Sequence, residues 1–71
     1  MTNSTIKLLQ NNIKKFRLEK GYSQIQLSMM AEISQDYLSE IERGKKTPSL
    51  KRLLIIAEAL GVEPYKFFIS L

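Results

Sequence analysis

Five consecutive or near-consecutive side chains in the middle of this chain could do chemistry together. Gln35, Asp36, Ser39 and Glu40 share one polar face if the segment is helical, and Tyr37 lies beside them. Their amide, hydroxyl and carboxylate groups suit recognition by hydrogen bonding rather than bond making. A basic block follows at once, with Arg43, Lys45, Lys46, Lys51 and Arg52. Nothing converges as nucleophile, base and oxyanion donor. The 71 residues include no Cys and no His, which removes thiolate nucleophiles, disulfides, Cys-based zinc sites, the usual general base and the commonest metal ligand. The expectation is a binding protein that is no enzyme, with no cofactor and no metal.

Charge sharpens this. The net +4 divides by segment into +4 over residues 1–20, −4 over 21–42, +5 over 43–52 and −1 over the remainder. Two basic blocks therefore flank an acidic middle. Folded onto one face they would form a phosphate-binding rim; kept apart they are two solvated helix faces.

The elements that must position these groups read as helices throughout, with no alternating strand pattern. Ser4 or Thr5 can cap a first helix whose apolar residues Ile6, Leu9, Ile13 and Phe16 recur at helical spacing, with Gly21 as its C-terminal cap. Ser23 caps a short second helix with Leu27 and Met30 facing inward. Ser34 caps a third, carrying Leu38 and Ile41 and closed by Gly44. Thr47-Pro48 reads as a capping hydroxyl followed by Pro at the first helical position, starting a fourth helix with the stripe Leu50, Leu53, Leu54, Ala57 and Leu60. Pro64 opens a fifth, short segment to Leu71. The expected fold is all-α, five helices in a single domain over 1–71.

A domain of this mass buries roughly 60% of its unfolded surface, a thin margin that invites a partner subunit. No stretch of 18 or more apolar residues could span a membrane. Met1 to Thr5 has no basic region followed by an apolar block, so no signal peptide is expected and a cytoplasmic location is the default.

The two middle helices are too short to be stable alone and must sit on a scaffold. A capped pair over about 23–43, joined by roughly three residues and presenting a polar second helix, has the geometry of a helix-turn-helix. The stretch from Ile13 to Gln24, Leu27 through Ile33-Ser34, Leu38-Ser39, Glu42-Arg43-Gly44, Thr47-Pro48-Ser49-Leu50 and Ala57 to Val62 together resemble the Xre/Cro-type helix-turn-helix family of small phage-repressor-like domains. The likeness covers roughly residues 6–68; each piece is weak and their joint spacing is specific.

The resemblance implies a compact phage-repressor-like domain with a central helix-turn-helix that binds double-stranded DNA through recognition helix 34–43. Gln35, Asp36, Ser39 and Glu40 would face base edges, Gln preferring adenine and the carboxylates accepting from cytosine N4, with Tyr37 beside them reaching either a thymine methyl or a phosphate. Ser23, Gln24, Arg43, Lys45, Lys46, Thr47 and Ser49 would hold the phosphates. Arg17 and Glu42 match a partly buried ion pair that ties the first helix to the third. The chain departs from the family at Glu32, where Gly usually forms the turn, and at Ser28, where Ala is usual.

The last segment concentrates Tyr65, Phe67, Phe68, Ile69 and Leu71, and helix four carries Ile55 and Ile56 beyond one apolar stripe. Ile55, Ile56, Tyr65, Phe68 and Leu71 are therefore expected in a two-fold homodimer interface, formed chiefly by residues 62–71. Small stand-alone controller-type regulators of the family resemble this arrangement, and operator binding by such a transcriptional regulator would repress by occlusion or activate through RNA polymerase. The rival class is an antitoxin-like protein-interaction module on the same fold.

Overall fold

The computed structural model describes residues 3–70, and all its regular elements are helical: α1 (Asn3–Glu19), α2 (Gln24–Met30), α3 (Gln35–Glu42), α4 (Leu50–Leu60) and a 3-10 helix (Pro64–Phe68). The expected fifth helix is thus a single short 3-10 stretch. Pro64 sets its start, and Lys66 N–H bonds Glu63 O across three residues. Among the described residues, no helix is long and apolar enough to cross a membrane.

α1 runs through Ser4 and Thr5 instead of starting at either. Both lie in the first turn, where backbone N–H groups lack helical partners anyway and polar side chains are tolerated. Its Leu9, Ile13 and Phe16 are buried, whereas Ile6 is half-buried. α2 begins with a capping box: Ser23 Oγ accepts from Gln26 N–H at 3.0 Å, and Ser23 N–H donates to Gln26 Oε1 at 2.8 Å. Ser34 caps α3 through Tyr37 N–H at 3.0 Å.

Four expectations need correction. Met30 points outward at 45% exposure, and Ala31 occupies the core beside Leu27. The small Ala side chain lets this end of α2 lie close to the core, and Met30 projects from the neighbouring position. The cap of α4 is Ser49, whose Oγ accepts from Arg52 N–H, and not Thr47. Pro48 precedes the helix and is buried, so its ring packs into the core instead of starting the helix. The buried stripe of α4 is Leu53, Ile56, Ala57 and Leu60, while Leu50 (71% exposed) and Leu54 face outward. Ile56 is completely buried and belongs to the monomer core, not to a surface available for dimer contact.

α1 packs against α3 and the 3-10 helix, and α2 packs against α3 and α4. The shared core is Leu9, Ile13, Phe16, Leu27, Ala31, Leu38, Ile41, Leu53, Ile56, Ala57, Leu60 and Phe67. Fully burying each large apolar side chain contributes about 1.5–3 kcal/mol, and this common core holds the two short helices of the turn motif in place.

Those short helices end alike. After α2, Ile33 N–H bonds Ser28 O at 2.9 Å; after α3, Lys45 N–H bonds Glu40 O at 2.8 Å. Each closure requires one residue in the left-handed region. After α3 it is Gly44 (φ 75°), and after α2 it is Glu32 (φ 57°). The helix-turn-helix therefore keeps its turn geometry without glycine, at a conformational cost of about 1 kcal/mol.

Candidate nucleic-acid interface

α3 buries Leu38, Ile41 and Glu42 and turns the rest of its surface outward. Gln35 and Asp36 are exposed; Ser39, Glu40 and Tyr37 are half-buried. Helical spacing puts Asp36, Ser39 and Glu40 at the centre of the outward face, with Gln35 and Tyr37 on opposite flanks. Asp36 lies in the first turn, where the helix dipole favours a carboxylate. Tyr37 also packs against the core edge, which fixes its ring.

The inner side of α3 is locked to α1 by charge. Arg17 Nε lies 2.7 Å from Glu42 Oε2 and Arg17 Nη2 lies 3.1 Å from Oε1, a bidentate pair with Glu42's side chain only 2% exposed. Arg17 Nη1 donates to Tyr22 O at 2.8 Å, which also fastens the loop before α2. Gln24 Nε2 donates to the same Glu42 Oε1 at 3.1 Å. Gln24, expected at a phosphate, is thus held within a four-residue network. The network places the start of α2 beside the end of α3 and removes Arg17 from the exposed basic surface.

The segment after α3 folds back along it. Lys45 N–H and Lys46 N–H both donate to Glu40 O, at 2.8 and 3.3 Å. Lys46 Nζ lies 3.6 Å from Glu40 Oε1 and 5.9 Å from the centre of the Tyr37 ring. Arg43 Nε reaches Ser39 O at 3.4 Å, a long bond from an exposed side chain. Lys45 and Thr47 are exposed. Ser23 and Ser49 use their hydroxyl oxygens as cap acceptors, which leaves each hydroxyl proton free to donate outward. The structure therefore brings Gln35, Asp36, Ser39 and Glu40 onto one face, with Tyr37 and Lys46 at its edge and Gln24 behind its far end.

Elsewhere, Tyr65 and Phe68 are exposed and Ile55 is half-buried, whereas Leu71 lies outside the described residues. One residue absent from the sequence expectations organises this end. Asn12, buried on α1, donates through Nδ2 to the carbonyls of Lys66 (3.3 Å), Phe67 (3.0 Å) and Ile69 (2.8 Å). Its sequence signal is a polar residue inside the stripe Leu9, Ile13 and Phe16, where an amide must find buried acceptors. The Phe67 ring then meets Phe16, with centroids 6.0 Å apart and planes tilted by 59°.

Comparison with known proteins takes in both the turn motif and its scaffold. A family model described as helix-turn-helix matches residues 13–67. An uncharacterised helix-turn-helix-type transcriptional regulator, y4dJ of Sinorhizobium fredii, is 41% identical over 56 residues, which are 79% of this chain and 73% of that protein. Control protein C.BamHI of Bacillus amyloliquefaciens is 37% identical over 65 residues, 90% of this chain and 80% of that one. The restriction-modification controller protein C.Esp1396I, solved as a tetramer in complex with its natural 35-base-pair operator, superposes with a TM-score of 0.85 at 33% identity, covering 94% of this chain and 88% of that one. These matches span α2, the turn at Glu32, α3 and the core that holds them. The chain belongs to the helix-turn-helix family, of the Xre/Cro type.

Proposed function

We propose that this protein is a sequence-specific, double-stranded-DNA-binding transcriptional regulator. It acts as a homodimer on a palindromic operator, with α3 of each subunit in a major groove and half-site centres about one turn, roughly 34–36 Å, apart. The carrying observation is the outward face of α3. Hydrogen-bonding side chains occupy its centre, and the cationic loop from Arg43 to Lys46 is folded against its edge by the Glu40 carbonyl. Similar proteins support this reading: C.BamHI is a control protein, and C.Esp1396I is solved as a tetramer in complex with its natural operator.

Gln35, Asp36, Ser39 and Glu40, with Tyr37, read base edges; Arg43, Lys45, Lys46 and Thr47, with the hydroxyls of Ser23 and Ser49, hold phosphates. Gln24 is better placed as a brace on Glu42 than as a phosphate ligand. Dimerisation through Tyr65 and Phe68, with Ile55 alongside, would cover apolar surface that the monomer leaves exposed. Occupying an operator represses by occlusion, and contact with RNA polymerase from such a position activates.

Duplex affinity measured between 50 and 200 mM salt tests this reading: it should fall steeply as phosphate-bound counterions are released. Affinity that does not change with salt would replace DNA with a protein partner, as in an antitoxin-like module. Sedimentation should show mass rising with concentration, and a fixed monomer mass would remove the dimer.

A further inference from the structure

Glu40 poses a problem for any helix that approaches DNA, because an outward carboxylate is repelled by the phosphates. The structure answers it with Lys46. The two Glu40-to-loop backbone bonds fix where the Lys46 side chain starts, its ammonium lies 3.6 Å from Glu40 Oε1, and the Tyr37 ring supports it at 5.9 Å. The pair is half-open to solvent and too long for a strong hydrogen bond, so it can be exchanged for other partners.

We propose that Glu40 and Lys46 form a conditional pair that couples base reading to phosphate grip. This rests on the DNA-binding reading given above. On a duplex that offers no amino donor opposite Glu40, the pair stays closed. Glu40 is then neutralised, and Lys46 makes no phosphate contact. Where a cytosine N4 amino group faces α3, the Glu40 carboxylate reaches outward to accept from it. Tyr37 and Glu40, three residues apart, are neighbours at the edge where Lys46 sits, so extending the carboxylate outward to a base draws it off the ammonium, which the Tyr37 ring still flanks. The freed ammonium then binds a phosphate. Lys46 is therefore a specificity-determining residue although it reads no base, because its contribution to affinity depends on the sequence that Glu40 meets.

The test uses the full chain, a duplex selected by it from a random pool, and a shuffled duplex of the same length and composition. The slope of log affinity against log salt is measured for the wild type, Glu40→Gln and Lys46→Gln. Lys46→Gln should flatten the slope by about 0.9 on the selected duplex and leave the shuffled-duplex slope unchanged, one phosphate contact being lost only where the pair opens. Glu40→Gln should steepen the shuffled-duplex slope by about 0.9 and raise that affinity about fivefold to tenfold near 0.1 M salt, because Lys46 is then always free. Repeating the selection with Glu40→Gln should also erase one cytosine preference. Equal flattening of both slopes by Lys46→Gln would make Lys46 an unconditional phosphate contact and overturn the pairing. Flattening of neither slope would remove it from the phosphates and overturn the pairing equally. In both cases the DNA-binding reading stands. A wild type that shows no salt-dependent duplex binding overturns that reading and this proposal together.

Discussion

α3 carries two glutamates two residues apart, each beside a cation, and they do opposite work. Glu42 faces inward, accepts from Arg17 twice and from Gln24 once, and is almost fully buried. Glu40 faces outward, meets Lys46 at 3.6 Å and remains wet. Desolvation makes the difference. A buried carboxylate that has lost its water depends on every partner it has, so its pair is part of the fold. A wet carboxylate loses little when its partner leaves, so its pair is free to change during binding. Residue type and helix are the same; the side of the helix decides whether a charge is structural or available.

The sharpest way to break this contrast is to strand the buried charge. Arg17→Met should cost about 3–5 kcal/mol, because Glu42 keeps only the Gln24 amide and the Tyr22 carbonyl loses its donor. Urea unfolding should show the loss, and the double variant Arg17→Met with Glu42→Leu should recover much of it. Next in size is Asn12→Ala, which leaves the carbonyls of Lys66, Phe67 and Ile69 without that donor and should cost about 1–3 kcal/mol in the same assay. Glu32→Gly should move the other way and stabilise by about 1 kcal/mol, because glycine takes φ 57° without strain. For a domain of this size that corresponds to a rise in Tm of about 4–8 °C. Smallest of all, Glu40→Gln should change stability by less than about 0.5 kcal/mol, since its ion pair is solvated. A loss as large as that of Arg17→Met would erase the distinction between the two glutamates.

The caps at Ser23 and Ser34 and the buried side of α3 were legible in the sequence because they depend on local chemistry that one residue type performs best. Thr47-Pro48 puts the start of α4 too early, because the cap that forms is the hydroxyl of Ser49, directly after Pro48, which accepts from Arg52 N–H. The phase of α4 was hidden by its own composition. Apolar residues at 50, 53, 54, 55, 56, 57 and 60 suit more than one stripe, and only packing against α2 and the 3-10 helix selects Ile56 over Leu54. At the site, the side chains of α3 could be named from spacing. The bonds from Gln24 to Glu42 and from Lys46 to Glu40 could not, since each joins segments whose approach is fixed by tertiary structure. Asn12 was missed for the same reason: its acceptors lie more than fifty residues away.

That asparagine has a consequence beyond holding two segments together. Hydrophobic packing tolerates a small slide of one segment along another, because one apolar contact replaces the next at little cost. An amide flanked by the carbonyls of residues 66, 67 and 69 does not, since a slip of one residue would misalign those acceptors with the Nδ2 donor. Asn12 therefore works as an indexing pin. It sets the rotational phase of the 3-10 helix to the residue, with Phe67 inward against Phe16 and Tyr65 and Phe68 outward. The alignment of two recognition helices across a dimer would then descend from a single side-chain amide in the first helix.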